Sequence, residues 1–393
     1  MGSRVVPMKI AILSRESDSY STSRLRDAAV ARGHEVVVFD TLRFSIVVST
    51  TGSTLLYDAR PVDDLDAVIP RIGASVTYVG TAVVRQLEPM GVVSLNGAEA
   101  ISASRDKLRA LQVLARHGLP VPPTVFVRDR KGIAPALERL GGAPVVVKLL
   151  EGTQGVGVML AETVEMAQAI VETLQFAKQN VMVQRFVRES RGRDVRVIVV
   201  GGKVVAAMRR MSRGREFRSN LHRGGTAEPV ALPPAYAEVA VRAASVLGLA
   251  VAGVDMLEGE GGPVVLEVNS SPGLEGIETT TGIDVAGAMV VALEDAHRTP
   301  LVDARDRLAI EPGHGLVAIP VAAGSPLAGH TIAHGPLAER DVRILRLERG
   351  GRATANPRLD VVLEAGDVLI AHGRLDTLRP LVGPAGRARA KGP

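Results

Sequence analysis

VAGVDMLEGEGGPVVLEVNSSPG, residues 251–273, is the stretch whose reading decides the fold. Two apolar runs, VAGVDML and PVVLEVN, flank a Gly-rich turn. Folding them together about Gly261 sets Asp255 opposite Glu267, with Asn269 two residues further along the same face. The pattern predicts a β-hairpin with three oxygen-bearing side chains on one side. Facing carboxylates on adjacent strands repel unless a cation lies between them. Carboxylate and amide oxygens suit Mg2+ or Mn2+ better than zinc. An ordinary solvent-facing strand edge would carry the same residues, so the choice rests on the remaining chain.

Working outward, 393 residues allow two to four domains, and 46% hydrophobic content is enough for real cores. The chain has no cysteine, which excludes disulfides, thiolate metal sites and cysteine nucleophiles and fits a reducing compartment. No apolar run approaches the ~20 residues that span a bilayer. The start, MGSRVVPMKIAILSR, lacks an apolar signal core. No membrane association is expected, and the expected location is cytoplasmic. The net charge of +5 is uneven: Arg185 to Arg223 holds twelve Lys or Arg against Glu189, Asp194 and Glu216, giving +9 there and −4 elsewhere. Such a field recruits polyanions. With aromatics at 3% and no Trp, a stacking platform for single strands is poorly supplied, so phosphate or an acidic peptide is preferred over nucleic acid.

In the first part of the chain, MKIAILS (8–14), a helical pattern from Ser23 to Arg32 and HEVVVFD alternate as strand, helix, strand. LDAVIP (65–70), a helix ending at Gly91 and VVSLNG complete a parallel α/β unit. SRDK (104–107) opens a helix that stops at Gly118, and LPVPPT is a turn. PVVVKLL (144–150) is a strand carrying Lys148, and it runs into EGTQGVGV. A Gly-rich loop beside such a lysine can cover phosphates with backbone N–H groups and an ammonium. The lysine precedes Gly152, Gly155 and Gly157, so this is not the P-loop order, and a plain β-turn would look alike. A helix at 164–179 leads to NVMVQRFV, a strand whose backbone can edge a purine. In REFRSNLHRGG, Arg218 and Asn220 share one side of an extended chain, unless the segment is a solvated basic loop. An Ala-rich helix, 235–248, precedes the hairpin.

From Met8 to about Ala296 the sequence resembles the RimK-type ATP-grasp ligases, through MKIAILSR, DAVIPRIG, SRDKLR, VVVKLLEGTQGVGV, FRSNLHRGG, VAGVDML and LEVNSSPGLEGIETTTGIDVAG. The resemblance implies an α/β pre-ATP-grasp domain, 8–97, and a two-lobed α+β ATP-grasp domain, 98–298, that clamps ATP. It implies that Lys107 and Lys148 contact phosphates and that the loop bearing Gly152, Gln154 and Gly155 closes over them. Gln184, Arg185, Phe186 and Val187 would edge the adenine, and Asp194 would reach the nucleoside. Arg218, Ser219 and Asn220 would approach the phosphates. Asp255, Glu267 and Asn269 match ligands of two Mg2+ or Mn2+ ions, and Arg210 matches an arginine near the reacting acyl group, where Lys148 also acts. One departure is visible: Arg185 stands where the family pattern has an acidic residue, so a contact to the adenine amino group would be lost.

The implied chemistry joins two anions. A carboxylate attacks the terminal phosphate of ATP, and the amine of an amino acid then displaces phosphate from the acyl phosphate. The implied activity adds L-glutamate to the C-terminal glutamate of the sixth small-subunit ribosomal protein, or makes poly-α-glutamate. Alternatives are glutamate ligation to a cofactor or an amino-group carrier protein. From another class comes a non-catalytic ATP-binding sensor coupled to a transport regulator, which Arg185 alone favours.

After a polar linker, 299–314, residues 315–383 read as a separate small α+β unit. GLVAIPV, VRILRLE and DVVLEAGDVLIAHG give strand content and GRLDTLRPLV a short helix. SPLAGHTIAHGPLAERDVRILRLERGG resembles the C-terminal TrkA/RCK type of ligand-sensing domain. That resemblance implies a homo-oligomer, a small-molecule ligand and regulation of the ligase; a stabilising appendage is the plainer alternative. Residues 384–393 are expected to be disordered.

Overall fold

The computed structural model describes residues 6–50, 52–150, 157–213, 216–217, 224–299, 313–337 and 342–382. The chain divides into two compact units, Met1–Pro300 and Leu301–Pro393. Among the described residues no single helix is long and apolar enough to cross a membrane.

The first unit opens with β1 (Lys9–Leu13), α1 (Tyr20–Ala31) and β2 (Glu35–Phe39), where β1 and β2 run parallel with Ile10 beside Val36. The next three strands, β3 (Phe44–Ser49), β4 (Gly52–Tyr57) and β5 (Arg60–Pro61), form a small antiparallel sheet that the sequence reading passes over. Their exposed alternate residues blur the two-residue period on which a strand prediction rests. β6 (Ala67–Pro70), α2 (Thr77–Leu87) and β7 (Val93–Ser94) complete a parallel sheet of order β2-β1-β6-β7.

Next, α3 (Ala98–Arg105) and α4 (Lys107–Arg116) meet at Asp106. The sequence reading opens a single helix at 104. In the structure Asp106 has extended backbone and accepts the Arg109 N–H at 2.9 Å, so it caps α4 and leaves Lys107 as its first residue.

A small lobe follows: β8 (Thr124–Val127), α5 (Ile133–Arg139), β9 (Val145–Leu149), β10 (Val158–Ala161), α6 (Val164–Phe176) and β11 (Val181–Arg185). Its antiparallel sheet has the order β10-β9-β11-β8. Val145, Val147, Val181 and Val183 bury one face of that sheet against Leu137, Ala167 and Val171. The larger lobe consists of β12 (Arg193–Val200), β13 (Lys203–Met211), β14 (Thr226–Pro229), α7 (Pro234–Val246), β15 (Val251–Gly259) and β16 (Gly262–Asn269). Its sheet has the order β14-β13-β12-β15-β16. Two helices, α8 (Glu275–Thr281) and α9 (Val285–Arg298), close the unit.

The largest core runs across the junction between the parallel sheet and the larger lobe. Ile10, Ile12 and Leu25 pack in one cluster with Ile198, Met289 and Leu293. Each such buried side chain contributes about 1.5–3 kcal/mol. Polar ties cross the same junction. Asn96 donates to the carbonyls of Val251 and Ser270, and both Arg32 and His34 reach Glu294.

The second unit contains β17 (His314–Pro320), β18 (Val342–Arg349), β19 (Arg352–Ala355), β20 (Val368–Arg374) and α10 (Leu375–Val382). Its antiparallel sheet is ordered β17-β20-β18-β19. Ile319, Leu347, Leu369 and Leu378 make a core of its own. Of the strand content expected in 360–373, only the part from Val368 onward is a strand; Val362 makes an isolated bridge to Thr331. The linker, apart from residues 299, 313 and 314, and the tail 384–393 lie outside the described residues.

Candidate active site

Along β15 and β16, Asp255 lies opposite Glu267 and Gly253 opposite Asn269, the pairing expected from the sequence. Its origin differs from the expectation. The turn is not centred on Gly261: Gly259 pairs with Gly262, leaving Glu260 and Gly261 as two central residues. Run straight down the strands, that register would set Leu266 against Asp255 and turn Glu267 to the other face. A bulge at Leu266 shifts the register, so Met256 faces Val265 while Asp255 faces Glu267.

Neighbouring strands supply the counter-charges. Arg196 on β12 is the cross-strand partner of Asp255, and Arg210 on β13 is the partner of Asp194. Arg196 donates Nε and Nη2 to the two Asp255 oxygens at 2.7 and 2.6 Å. Arg210 donates to both oxygens of Asp194 at 2.7 and 2.6 Å, and its Nη2 lies 3.0 Å from Asp255 Oδ2. Burial alone would raise the Asp255 pKa, but the two guanidiniums hold it below the usual carboxylate range. Burial opposes the charge on Arg210 as well, and Asp255 and Asp194 more than offset it, raising its pKa. Asp194, expected at the nucleoside, thus has its carboxylate engaged with Arg210. Sequence reasoning missed Arg196. Its signal was the alternation of Asp194 and Arg196 on a strand, and no strand was read at 193–200.

The same pairing corrects the picture of a free basic patch. Arg193 and Arg209 both reach Glu258, at 3.2 and 2.9 Å, and Arg209 also reaches Glu228 at 3.2 Å. Acids from β14 and β15, outside the basic segment, therefore pair with part of its charge.

On the opposite wall, Lys148 of β9 donates Nζ to Gln184 Oε1 at 2.6 Å, and Gln184 Nε2 donates to Thr124 Oγ1 at 2.9 Å. Gln184 is thus buried and orients the lysine. Burial pulls the Lys148 pKa down to about 8; Lys107 adds to the fall and Glu267 opposes it. Lys107 Nζ donates to the Leu149 carbonyl at 3.0 Å, and its pKa is also lowered by burial against the pull of Glu267. Gly157, where the Gly-rich segment rejoins β10, has φ +72°, and a Cβ there would sit 2.5 Å from Leu149 Cδ1, so glycine is required.

At the hinge, Arg185 N–H donates to the Pro123 carbonyl at 2.9 Å and its Nε to the Leu140 carbonyl at 2.8 Å. Phe186 packs edge-on to Phe217, ring centroids 6.4 Å apart, giving this end an apolar wall. Gly152, Gln154, Gly155, Arg218, Ser219 and Asn220 lie outside the described residues.

The hinge residues Gln184–Val187, Lys107, Lys148, Asp194, Arg210 and the Asp255, Glu267, Asn269 set all line one cleft of about 930 Å³. Two carboxylates and an amide, with no sulfur or imidazole, fit a hard divalent ion that takes few protein ligands and completes its shell with phosphate oxygens. Asp255 keeps acceptor capacity for this, because a carboxylate offers about four lone-pair sites and the two arginines take three contacts.

Residues 8–101 match the model of the RimK PreATP-grasp domain, 104–293 that of the RimK-like ATP-grasp domain, and 316–381 that of the TrkA-C domain. A probable alpha-L-glutamate ligase of Rhodopirellula baltica is 54% identical over 375 residues, 95% of this chain and 93% of that protein. The chain belongs to the RimK-type ATP-grasp ligases. This ligase has the expected mixed architecture: a pre-ATP-grasp α/β part, a two-lobed ATP-grasp part and a C-terminal TrkA-C domain. A probable alpha-L-glutamate ligase of Thioalkalivibrio sulfidiphilus is 55% identical over 98% of its own length but only 74% of the ligase, so about a quarter of this chain has no counterpart there. The ATP-grasp ligase PsnB, solved with a phosphomimetic variant of its minimal precursor, Mg and ADP, shares the fold with a TM-score of 0.57 at 24% identity, over 75% of this chain and 99% of PsnB.

Proposed function

We propose that this ligase uses ATP to join the amino group of L-glutamate to a carboxylate of an acidic acceptor chain. The observation that carries the reading is the register that sets Asp255, Glu267 and Asn269 on one cleft wall, facing Lys148 and Lys107. The names of the relatives support glutamate as the amine. In the first step a carboxylate oxygen of the acceptor bonds to the terminal phosphorus of ATP, and the β–γ bridging bond breaks to release ADP. In the second, the glutamate nitrogen bonds to the acyl carbon, phosphate departs with the C–O bonding pair, and the nitrogen loses its proton.

Each residue has a place in this scheme. Lys148 and Lys107 hold phosphate oxygens, and Arg210 lends positive charge at the acyl centre. Phe186 and the hinge backbone receive the base, with the Arg185 side chain drawn off to Leu140. Asp255, Glu267 and Asn269 would hold Mg2+ or Mn2+, two ions in our reading, which supply charge neutralisation between the two anionic reactants. As the family resemblance implies, the loop 151–157 would cover the phosphates, with Arg218, Ser219 and Asn220 near them.

For the acceptor we favour a C-terminal glutamate of a protein, of ribosomal small-subunit type, or the growing end of poly-α-glutamate. We place the reaction in the cytoplasm. In this scheme 8–97 and 98–298 carry the chemistry, and 315–383 carries a small-molecule ligand and the contacts of a homo-oligomer. Incubation with ATP, Mg2+ and glutamate, with and without a peptide ending in two glutamates, tests the proposal. The expected result is ADP release that depends on glutamate and a product heavier by whole glutamyl residues. ADP release indifferent to both substrates would overturn it.

A further inference from the structure

Two deep-set arginines in the cleft have no place in the scheme above. Arg71 follows β6, and Arg105 ends α3; both line the cleft. Arg71 donates Nη1 to the Pro272 carbonyl at 2.7 Å, and Arg105 donates Nη2 to the Ile72 carbonyl. Arg105 Nε is buried without a hydrogen-bond partner. Neither guanidinium forms a salt bridge with any described residue, whereas Arg196 and Arg210 on the facing sheet both end on carboxylates.

Two half-buried guanidiniums close enough to feel each other, neither of them ion-paired with a carboxylate, repel and leave donor capacity unspent in the cleft. Burial and the neighbouring Arg105 pull Arg71 down to about 10, and burial lowers Arg105. An arrangement of this kind is stable when an anion completes it.

Position separates these arginines from the phosphate lysines. Lys148, Lys107 and Arg105 all feel the charge of Glu267, while Arg71 feels Arg105. Lys148 is tied to Gln184 beside the hinge; Arg71 is tied to Pro272, three residues past Asn269. These anchors set Arg71 and Arg105 on the side of the cleft lined by Ile72 and Pro272, apart from the hinge that holds Lys148. A planar fork of N–H donors suits a carboxylate in two-point contact.

We propose that Arg71 and Arg105 clamp a carboxylate of the substrate beyond the metal-ligand pair. The clamp rests on the ligase reading above. Its carboxylate belongs either to the incoming amino acid or to the acceptor end, and kinetics separate the two.

The variants are Arg71→Gln and Arg105→Gln, with Arg71→Lys and Arg105→Lys as charge-keeping partners. KM is measured separately for ATP, glutamate and the acidic peptide. The expected result is a rise of about tenfold or more in KM for glutamate or for the peptide, with KM for ATP within about twofold. A rise for glutamate assigns the amino acid, and a rise for the peptide assigns the acceptor. The lysine variants recover only part of the loss, because one ammonium cannot make the two-point contact. Unchanged KM for both substrates, or a rise confined to ATP, overturns the clamp. If the glutamine variants fail to fold, the lysine variants decide on the same readout.

If the wild-type ligase releases no ADP with any amino acid or peptide, the ligation reading falls and the clamp is judged by calorimetry. Glutamate and the peptide are then each titrated into the protein loaded with a non-hydrolysable ATP analogue. Heat that is present in the wild type and lost in the variants supports the clamp, and heat that is absent or unaltered overturns it.

Discussion

At the scale of single residues, the cleft is a set of charges whose value depends on what each already holds. Lys148 has a pKa near 8 in the free ligase, held there chiefly by burial, and a phosphate beside it favours the ammonium. Below pH 8 the lysine is charged whether or not nucleotide is bound. Between about 8 and the higher pKa of the bound state, binding must also take up a proton. The dissociation constant for ATP should therefore be flat below pH 8 and rise toward tenfold per unit above it; titration calorimetry from pH 7 to 9.5 measures this, and a flat profile throughout would refute it. Glu267 is exposed in the cleft and, among the described residues, forms no salt bridge. Glu267→Ala should therefore leave the melting temperature nearly unchanged while lowering kcat about a hundredfold or more; wild-type turnover in that variant would remove Glu267 from the metal set. The facing of Asp255 and Glu267 was legible only because the bulge at Leu266 offsets a turn that is not centred on Gly261, and Asn269 follows from two residues of spacing along one face. Arg196 was not, because no strand was read at 193–200, and Arg71 and Arg105 were not, because what they hold comes from distant parts of the chain. The Arg196 partner lies 59 residues away.

Among the elements, apolar periodicity was enough at β1, β2, β9, β15 and α7, which fall where the pattern put them. It failed at β3 and β4, whose residues are half exposed, and at β12 and β13, where arginines interrupt the apolar positions and suggested a basic segment. The bulge at Leu266 was also out of reach, since a one-residue register shift leaves no trace in composition. Capping is a property of this scale. Asp106 satisfies the first turn of α4, whose first residue is Lys107. Asp106→Ala should cost about 1 kcal/mol, read from urea unfolding, and Asp106→Asn should recover most of it. Equal loss in both variants would mean that the side chain acts through its charge and not as a cap.

Across the whole molecule, the sequence changes from apolar runs to a polar, proline-bearing stretch at 299–314, and the first compact unit ends at Pro300. Among the described residues, the buried cluster of the second unit is drawn from its own segments, with Ile319, Leu347, Leu369 and Leu378 among its members. A protein ending at 299 should consequently fold cooperatively and keep ATP-dependent turnover, as checked by circular dichroism and ADP release. Loss of the native spectrum on truncation would show that the first unit depends on residues beyond it. If light scattering shows a dimer only for the full chain, the small unit is where copies meet.

The core beneath β1 and α1 bears on mechanics. It belongs jointly to the first sheet and the larger lobe, so parting those two would open apolar surface and break the bonds of Asn96 and Glu294. The small lobe, from β8 to β11, keeps every member of its own cluster between Val125 and Val183. One part is an anvil and the other a jaw. Because the two clusters share no residue, a swing of the jaw about the strand ends near Thr124 and Arg185 would break up neither of them and would carry Lys148 toward or away from Glu267. Opening and closing would then change the distance between the lysine and the metal ligands, while Arg196, Arg210 and Asp255 travel as one rigid piece.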